Sequence, residues 1–327
     1  MFSIGDYVKR TDLQNKIDLK ILSEQELKFL QESILDIYRD VLSVCEKAGI
    51  RVMMVAGSAI GVVRHKGFIP WDDDMDMLIS RDEYYRFVEA FCEEFGDKYY
   101  VTSPFSITQY KDLCIHIIRK DITLISLFDL SKLYPNGVAI DICTYEYVPD
   151  NCILRVLHGF ISNCLLFIGN SRKMYLCKNK YCDTFFSLTM KSRIMYYFRL
   201  FIGILFSFFS YATWCSCLDK WVSLFNKRKG KYVTIPTGYL HYFGEMVPSD
   251  VFDPAKEAVF EGLKAFIPNR VDTYLKNRYG KDYMVIPPKE KQEVHPVVAF
   301  SYGITSCLLY TSPSPRDTER SRMPSSA

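Results

Sequence analysis

GSAIGVVRHKGFIPWDDDMDMLIS, residues 57–80, sets a small-residue turn, three basic side chains, a Pro-Trp corner and four aspartates within two dozen positions. Arg51 to Ala56 is a short apolar run that predicts a strand, Gly57-Ser58 a turn, and Ala59 to Arg64 the start of a helix that Gly67 and Pro70 interrupt. Asp74 to Ile79 predicts a second strand. At period two, Asp74 and Asp76 then share one face, while Met75, Met77 and Ile79 point to the other.

Two carboxylates side by side at about 4 Å repel by roughly 4 kcal/mol at an effective dielectric of about 20, so a folded site needs a compensating charge. A divalent cation supplies it. Asp141 is the natural third member, because it stands in Val138-Ala139-Ile140-Asp141-Ile142, where a charge is out of place among apolar strand positions. Carboxylate oxygens suit Mg²⁺ or Mn²⁺. Asp141 is also a candidate base for an attacking hydroxyl. The bland alternative is a solvated acidic turn after Pro-Trp.

Gly57 and Ser58 would bring backbone amides and a hydroxyl to the positive end of a helix, a place for phosphate. Arg64, His65 and Lys66 follow within two helical turns. Arg64 is the best candidate for a bidentate phosphate contact, and a solvated basic turn is the competing reading for His65 and Lys66. Trp71 reads as a corner anchor, and Asp72 and Asp73 as supporting or solvated groups.

Outward from this stretch, Ser23-Glu24-Gln25-Glu26 reads as a capping box opening a long amphipathic helix that ends near Gly49. Arg81 to Phe95 predicts a helix with Tyr85, Val88, Phe91 and Phe95 on one side. Strands are expected at Leu113 to Arg119, Thr123 to Phe128 and Gly137 to Thr144, and a helix at Val271 to Asn277. The fold class is α+β. Residues 1–22 form a lead-in, 23–150 and 231–298 one catalytic unit, 151–230 an apolar helical region, and 299–327 a disordered or artefactual Ser/Pro/Arg-rich tail. Leu200 to Leu218 carries no charge, and three readings stay open for it: a membrane span, a helix lying on a membrane, or a buried or groove-lining helix.

The 327 residues are 49% hydrophobic and 24% charged, ordinary for a globular protein, and a net charge of +3 is too mild for a nucleic-acid partner. Eleven cysteines without a CxxC pair imply neither a zinc knuckle nor a disulfide framework. With a polar N-terminus, they predict a cytoplasmic protein, with the apolar middle as the point of any peripheral contact with the inner face of the membrane.

The run GSAIGVVRHKGFIPWDDDMDMLISRDEYYRF resembles the signature of the LicD family of phosphocholine and related phosphotransferases, which is similar to the fukutin-related proteins. The likeness continues at VAIDICTYEYVPD and at Phe260 to Pro296, and is weak through the apolar middle. The resemblance implies a nucleotidyltransferase-like small mixed sheet flanked by helices, with Asp74, Asp76 and Asp141 as metal ligands. It also implies transfer of a phosphocholine-like group from a CDP-linked donor such as CDP-choline to a hydroxyl of a bacterial cell-surface glycan, lipopolysaccharide or teichoic acid, or its lipid-linked precursor. In the C-terminal block Glu261 is a candidate contact to substrate or metal, and His241, Tyr279 and His295 are further polar groups that would close the pocket. The rival readings are nucleotidyl transfer on the same fold and a non-catalytic membrane-associated scaffold.

Overall fold

The computed structural model describes residues 20–105, 108–126, 133–292, 295 and 297–302. The expected lead-in up to residue 19, the strand end at Phe128 and the tail from residue 303 lie outside the described residues.

Helix α1 (Glu24–Ala48) begins where the sequence says it must. The Ser23 hydroxyl accepts from the Glu26 amide, and the Glu26 carboxylate accepts from the Ser23 amide. Leu30, Ile34, Ile37, Tyr38, Val41 and Cys45 recur at helical spacing and are buried. Gly49, at φ +64°, takes the left-handed turn that ends the helix. The chain continues through β1 (Val52–Met54), α2 (Ala56–Ile60, prolonged by a π-helical turn at Gly61–His65), β2 (Asp76–Ser80), α3 (Arg81–Phe95), β3 (Tyr99–Ser103), β4 (Tyr110–Lys111), β5 (Ile115–Arg119), β6 (Ile122–Ser126) and β7 (Ala139–Tyr147). A helical region follows: α4 (Cys152–Leu176), α5 (Lys180–Phe186), α6 (Met190–Leu205) and α7 (Tyr211–Val222). The end comprises β8 (Tyr232–Thr234), α8 (His241–Gly244), β9 (Val247–Pro248), β10 (Lys256–Phe260), β11 (Leu263–Ile267), α9 (Val271–Tyr279) and β12 (Val297–Tyr302).

The main sheet is mixed, in the order β1-β2-β7-β5-β3-β4, with β8 attached to β7 and β9 to β8. β2 and β7 run parallel at its centre, and the pairs β1–β2, β7–β5 and β5–β3 are antiparallel. β10–β11 is a separate hairpin, and β12 pairs with β6. One core fills the space between α1, α3 and the sheet; a second joins β1, β8 and α9. The helical region is tied to the sheet by a buried ion cluster, in which Arg81 at the start of α3 binds Glu146 of β7 and reaches Asp219 of α7 at 2.7 Å. Breaking such a cluster from one side leaves an uncompensated buried charge, costing about 3–5 kcal/mol.

Several expectations need correction. Gly57 and Ser58 lie within the first turn of α2, because Ala56, at φ +48°, makes the turn one residue earlier. Asp74 precedes β2 rather than forming part of it. On α3 Tyr84 is buried with Phe87, Val88 and Phe91, whereas Tyr85, expected on that side, is exposed, and its hydroxyl donates to the buried Asp219. Leu200–Leu218 is not one helix: α6 ends at Leu205, and Ser210 caps α7, its hydroxyl accepting from the Thr213 amide. That interruption removes the continuous span the composition suggested. Among the described residues, the helix long and apolar enough to cross a membrane is α4 instead. Residues 299–302, expected in the tail, are strand β12, held by β6.

Candidate active site

The carboxylates converge where β2 and β7 begin. The parallel register sets Asp76 directly opposite Asp141, and strands so paired lie about 4.8 Å apart. The ladder extends one step beyond the strand, since the Asp141 amide donates to the Met75 carbonyl at 3.1 Å. Ser58, buried on α2, accepts from the Asp76 amide at 3.0 Å and so fixes where β2 starts. Trp71 packs on the second core, and Gln31 of α1 donates to the Asp72 carbonyl at 2.9 Å, holding the Pro-Trp corner that delivers the acidic loop.

Asp72, Asp73 and Asp74 bring one oxygen each within 4.8 Å of one another, but two of the three are committed elsewhere. The Asp72 carboxylate lies against Gly57, so close that a Cβ there would sit 3.2 Å from its oxygen. Asp73 accepts from both the amide and the ring of His295, at 2.9 and 2.7 Å. Asp74 remains, and its charge is coupled to Asp76 and to Asp141. Burial, together with the neighbouring carboxylates, pushes Asp74 and Asp76 up to about 8 and Asp72 up to about 7. Oxygen-only donors short of counter-charge fit a hard divalent cation.

Asp141 behaves differently. Burial alone would raise it, but the His116 ring bonds its Oδ1 and holds it below the ordinary carboxylate range. His116 is charged well beyond its usual range, since Asp141 and Asp112 outweigh the burial that opposes it. Behind it, Asp112 is paired with Lys173 of α4 at 2.7 Å, and Lys173 also donates to Tyr134. A carboxylate kept ionised in this way suits a ligand better than a proton acceptor.

The basic residues separate. The Arg64 guanidinium donates to the carbonyls of Tyr283 and Val285 and lies over Trp71, so it braces the C-terminal segment. His65 takes a 3.4 Å bond from Arg64, and Lys66 adopts φ +62° with its carbonyl bound by the Glu261 amide. Glu261 in turn accepts from the Phe68 amide at 3.0 Å and holds the 66–68 loop. His241 has Arg199 as its charged neighbour. His295 closes over the acidic loop, its Nε2 3.7 Å from Asp74.

Sequence reading missed His116, Asp112, Lys173 and Arg278. His116 carried the signal that exposed Asp141, a polar side chain inside the apolar run Ile115-His116-Ile117. Arg278, in the last turn of α9, passes for routine helix-end chemistry. It pairs with buried Glu245 while its field lowers Asp76, and the hydroxyl of adjacent Tyr279, raised chiefly by burial, is raised further by Asp76 and Asp74.

Residues 49–149 match the family described as "LicD/FKTN/FKRP, nucleotidyltransferase domain". The lipopolysaccharide cholinephosphotransferase LicD of Haemophilus influenzae is 27% identical over 282 residues, covering 84% of this chain and 95% of the relative.

Proposed function

We propose that the chain is a LicD-like phosphotransferase, as the match over residues 49–149 and the 27% identity to the Haemophilus influenzae relative suggest, and that it moves phosphocholine from CDP-choline to a hydroxyl of lipopolysaccharide or its lipid-linked precursor. The fold is then nucleotidyltransferase-like, and Asp74, Asp76 and Asp141 hold Mg²⁺ or Mn²⁺. The observation that carries this reading is the parallel register of Asp76 against Asp141, with Asp74 on the adjoining loop.

In the reaction the acceptor oxygen bonds to the choline-bearing phosphorus, the bond to the bridging oxygen breaks, CMP leaves, and the hydroxyl proton goes to solvent or a carboxylate. Such transfers need positioning and charge neutralisation more than covalent help from protein. A bound cation supplies Lewis acidity at the phosphate oxygens. Around it, His116 keeps Asp141 ionised and oriented, and the Ser58 hydroxyl fixes Asp76. The α2 amides at Gly57 and Ser58, with Arg278 on the facing helix, provide positive potential for the diphosphate. Arg64, His65, Lys66 and Glu261 support the loop over it.

The test is the identity of the small product. With CDP-choline, Mg²⁺ and lipopolysaccharide, CMP is expected, and chelation stops its release. Release of phosphocholine, with CMP joined to the acceptor, would overturn the reading in favour of nucleotidyl transfer.

A further inference from the structure

The α4–α6 region wears its apolar residues outward. On α4, Ile153, Leu157 and Phe160 are exposed by 82%, 53% and 62%, while the opposite face packs inward. On α6 and the turn beyond it, Ile194, Phe201 and Phe208 are exposed by 63%, 58% and 65%. Both sets follow helical spacing and form stripes on the solvent side, the reverse of a soluble amphipathic helix. The two helices pack closely: a Cβ on Gly203 of α6 would lie 2.5 Å from the Ser171 carbonyl of α4, and Arg199 covers the Phe167 ring.

Charge selects the occupant. From Cys152 to Leu218 there are eight Lys and Arg against one acidic residue, Asp183. Lys178, Lys180, Lys191 and Arg193, which run from the end of α4 through α5 into the first turn of α6, are all exposed. With Lys173 neutralised by Asp112, the face remains strongly positive, and a second copy of the chain would set that charge against itself. An anionic bilayer meets both properties, since its headgroups attract the cations and its acyl boundary takes the exposed rings.

We propose that the outer face of α4 and α6 docks on an anionic phospholipid surface, lying on it rather than crossing it. Crossing by α4 would break its inward bonds. His158 is bonded to the Tyr242 hydroxyl and the Trp221 carbonyl, both at 2.9 Å, and Lys173 is paired with Asp112. The Lys173 pair also links the docking helix through Asp112 and His116 to Asp141, so the carboxylate site is tied to the helix that meets the lipid. The inference goes beyond the proposed reaction and does not depend on it.

Sedimentation with extruded vesicles tests it without donor or acceptor. The full chain is expected to sediment with vesicles containing one-third phosphatidylglycerol and to stay in solution with phosphatidylcholine alone, the bound fraction falling as salt rises. Phe160→Glu with Phe201→Glu, and separately Lys180→Glu with Arg193→Glu, are each expected to lower vesicle partitioning by about tenfold or more. All four side chains are exposed or nearly so, so melting curves of the variants should match the parent. The proposal is overturned if the parent ignores anionic vesicles, if it binds both compositions equally, or if carbonate extraction leaves it in the bilayer. It is also overturned if sedimentation velocity shows a dimer that Phe201→Glu dissociates.

Discussion

In chelator, Asp76→Asn is expected to raise the melting temperature near neutral and alkaline pH; with Mg²⁺ present it is expected to abolish transfer. Burial, Asp74 and Asp141 move the Asp76 carboxyl from 3.8 to about 8. A carboxyl raised in the folded state penalises folding only where the unfolded chain would be ionised. The penalty is therefore absent below the ordinary carboxylate pKa, grows as pH rises, and is complete above about pH 8. At about 1.4 kcal/mol per pH unit, the span would amount to about 5–6 kcal/mol. The side chain is partly open to water and shares the repulsion with two neighbours, which reduces this to about 2 kcal/mol. For a protein of this size that is a gain of about 2–5 °C. Thermal unfolding in EDTA across the acid-to-alkaline range should show parent and variant converging near pH 4, about the unperturbed carboxylate value. Adding Mg²⁺ should then stabilise the parent and leave the variant unmoved. A variant less stable than its parent at alkaline pH in EDTA, or one equally protected by Mg²⁺, refutes the reasoning.

His116→Gln keeps a hydrogen-bonding side chain but removes the positive charge between Asp141 and Asp112; initial rates should fall by about 10–100-fold, and in chelator the melting temperature should fall as well, because the carboxylates lose a counter-charge. Glu261→Gln retains an acceptor for the Phe68 amide and is expected to keep initial rates within about twofold, whereas Glu261→Ala loses about 1 kcal/mol of stability by thermal unfolding. A large rate loss in the glutamine variant would return Glu261 to the substrate. Gly203→Ala places a Cβ 2.5 Å from the Ser171 carbonyl and 2.7 Å from the Tyr175 Cβ, and should cost about 1–3 kcal/mol in chemical denaturation through separation of α4 and α6.

Features written in local pattern were legible in the sequence. Ser23, Glu26 and Gly49 marked both ends of α1, and the apolar runs around residues 52, 76, 117 and 140 gave the central strands. Asp76 and Asp141 stood out as charges on apolar strands, but what joins them is a parallel register, which neither run reveals alone. Asp74 was assigned to the same face by alternation, and reaches the site from the preceding loop instead. The bracing role of Arg64 was not legible because its partners are backbone carbonyls of Tyr283 and Val285, which have no residue signature. Lys173 and Asp112 are 61 positions apart and meet only through the packing of α4 on the sheet. The apolar middle misled by composition: 200–218 looks continuous, and a single serine cap divides it.

The central claim is tested most directly by following the donor's own atoms. CDP-choline labelled with ¹⁴C in choline and ³²P in the choline-bearing phosphate is incubated with the chain, Mg²⁺ and lipopolysaccharide. Both labels should enter the acceptor in the donor's ratio, and Asp76→Asn and Asp141→Asn should each prevent it. Acceptor free of both labels while donor is consumed, or full transfer by the two variants, would contradict the account.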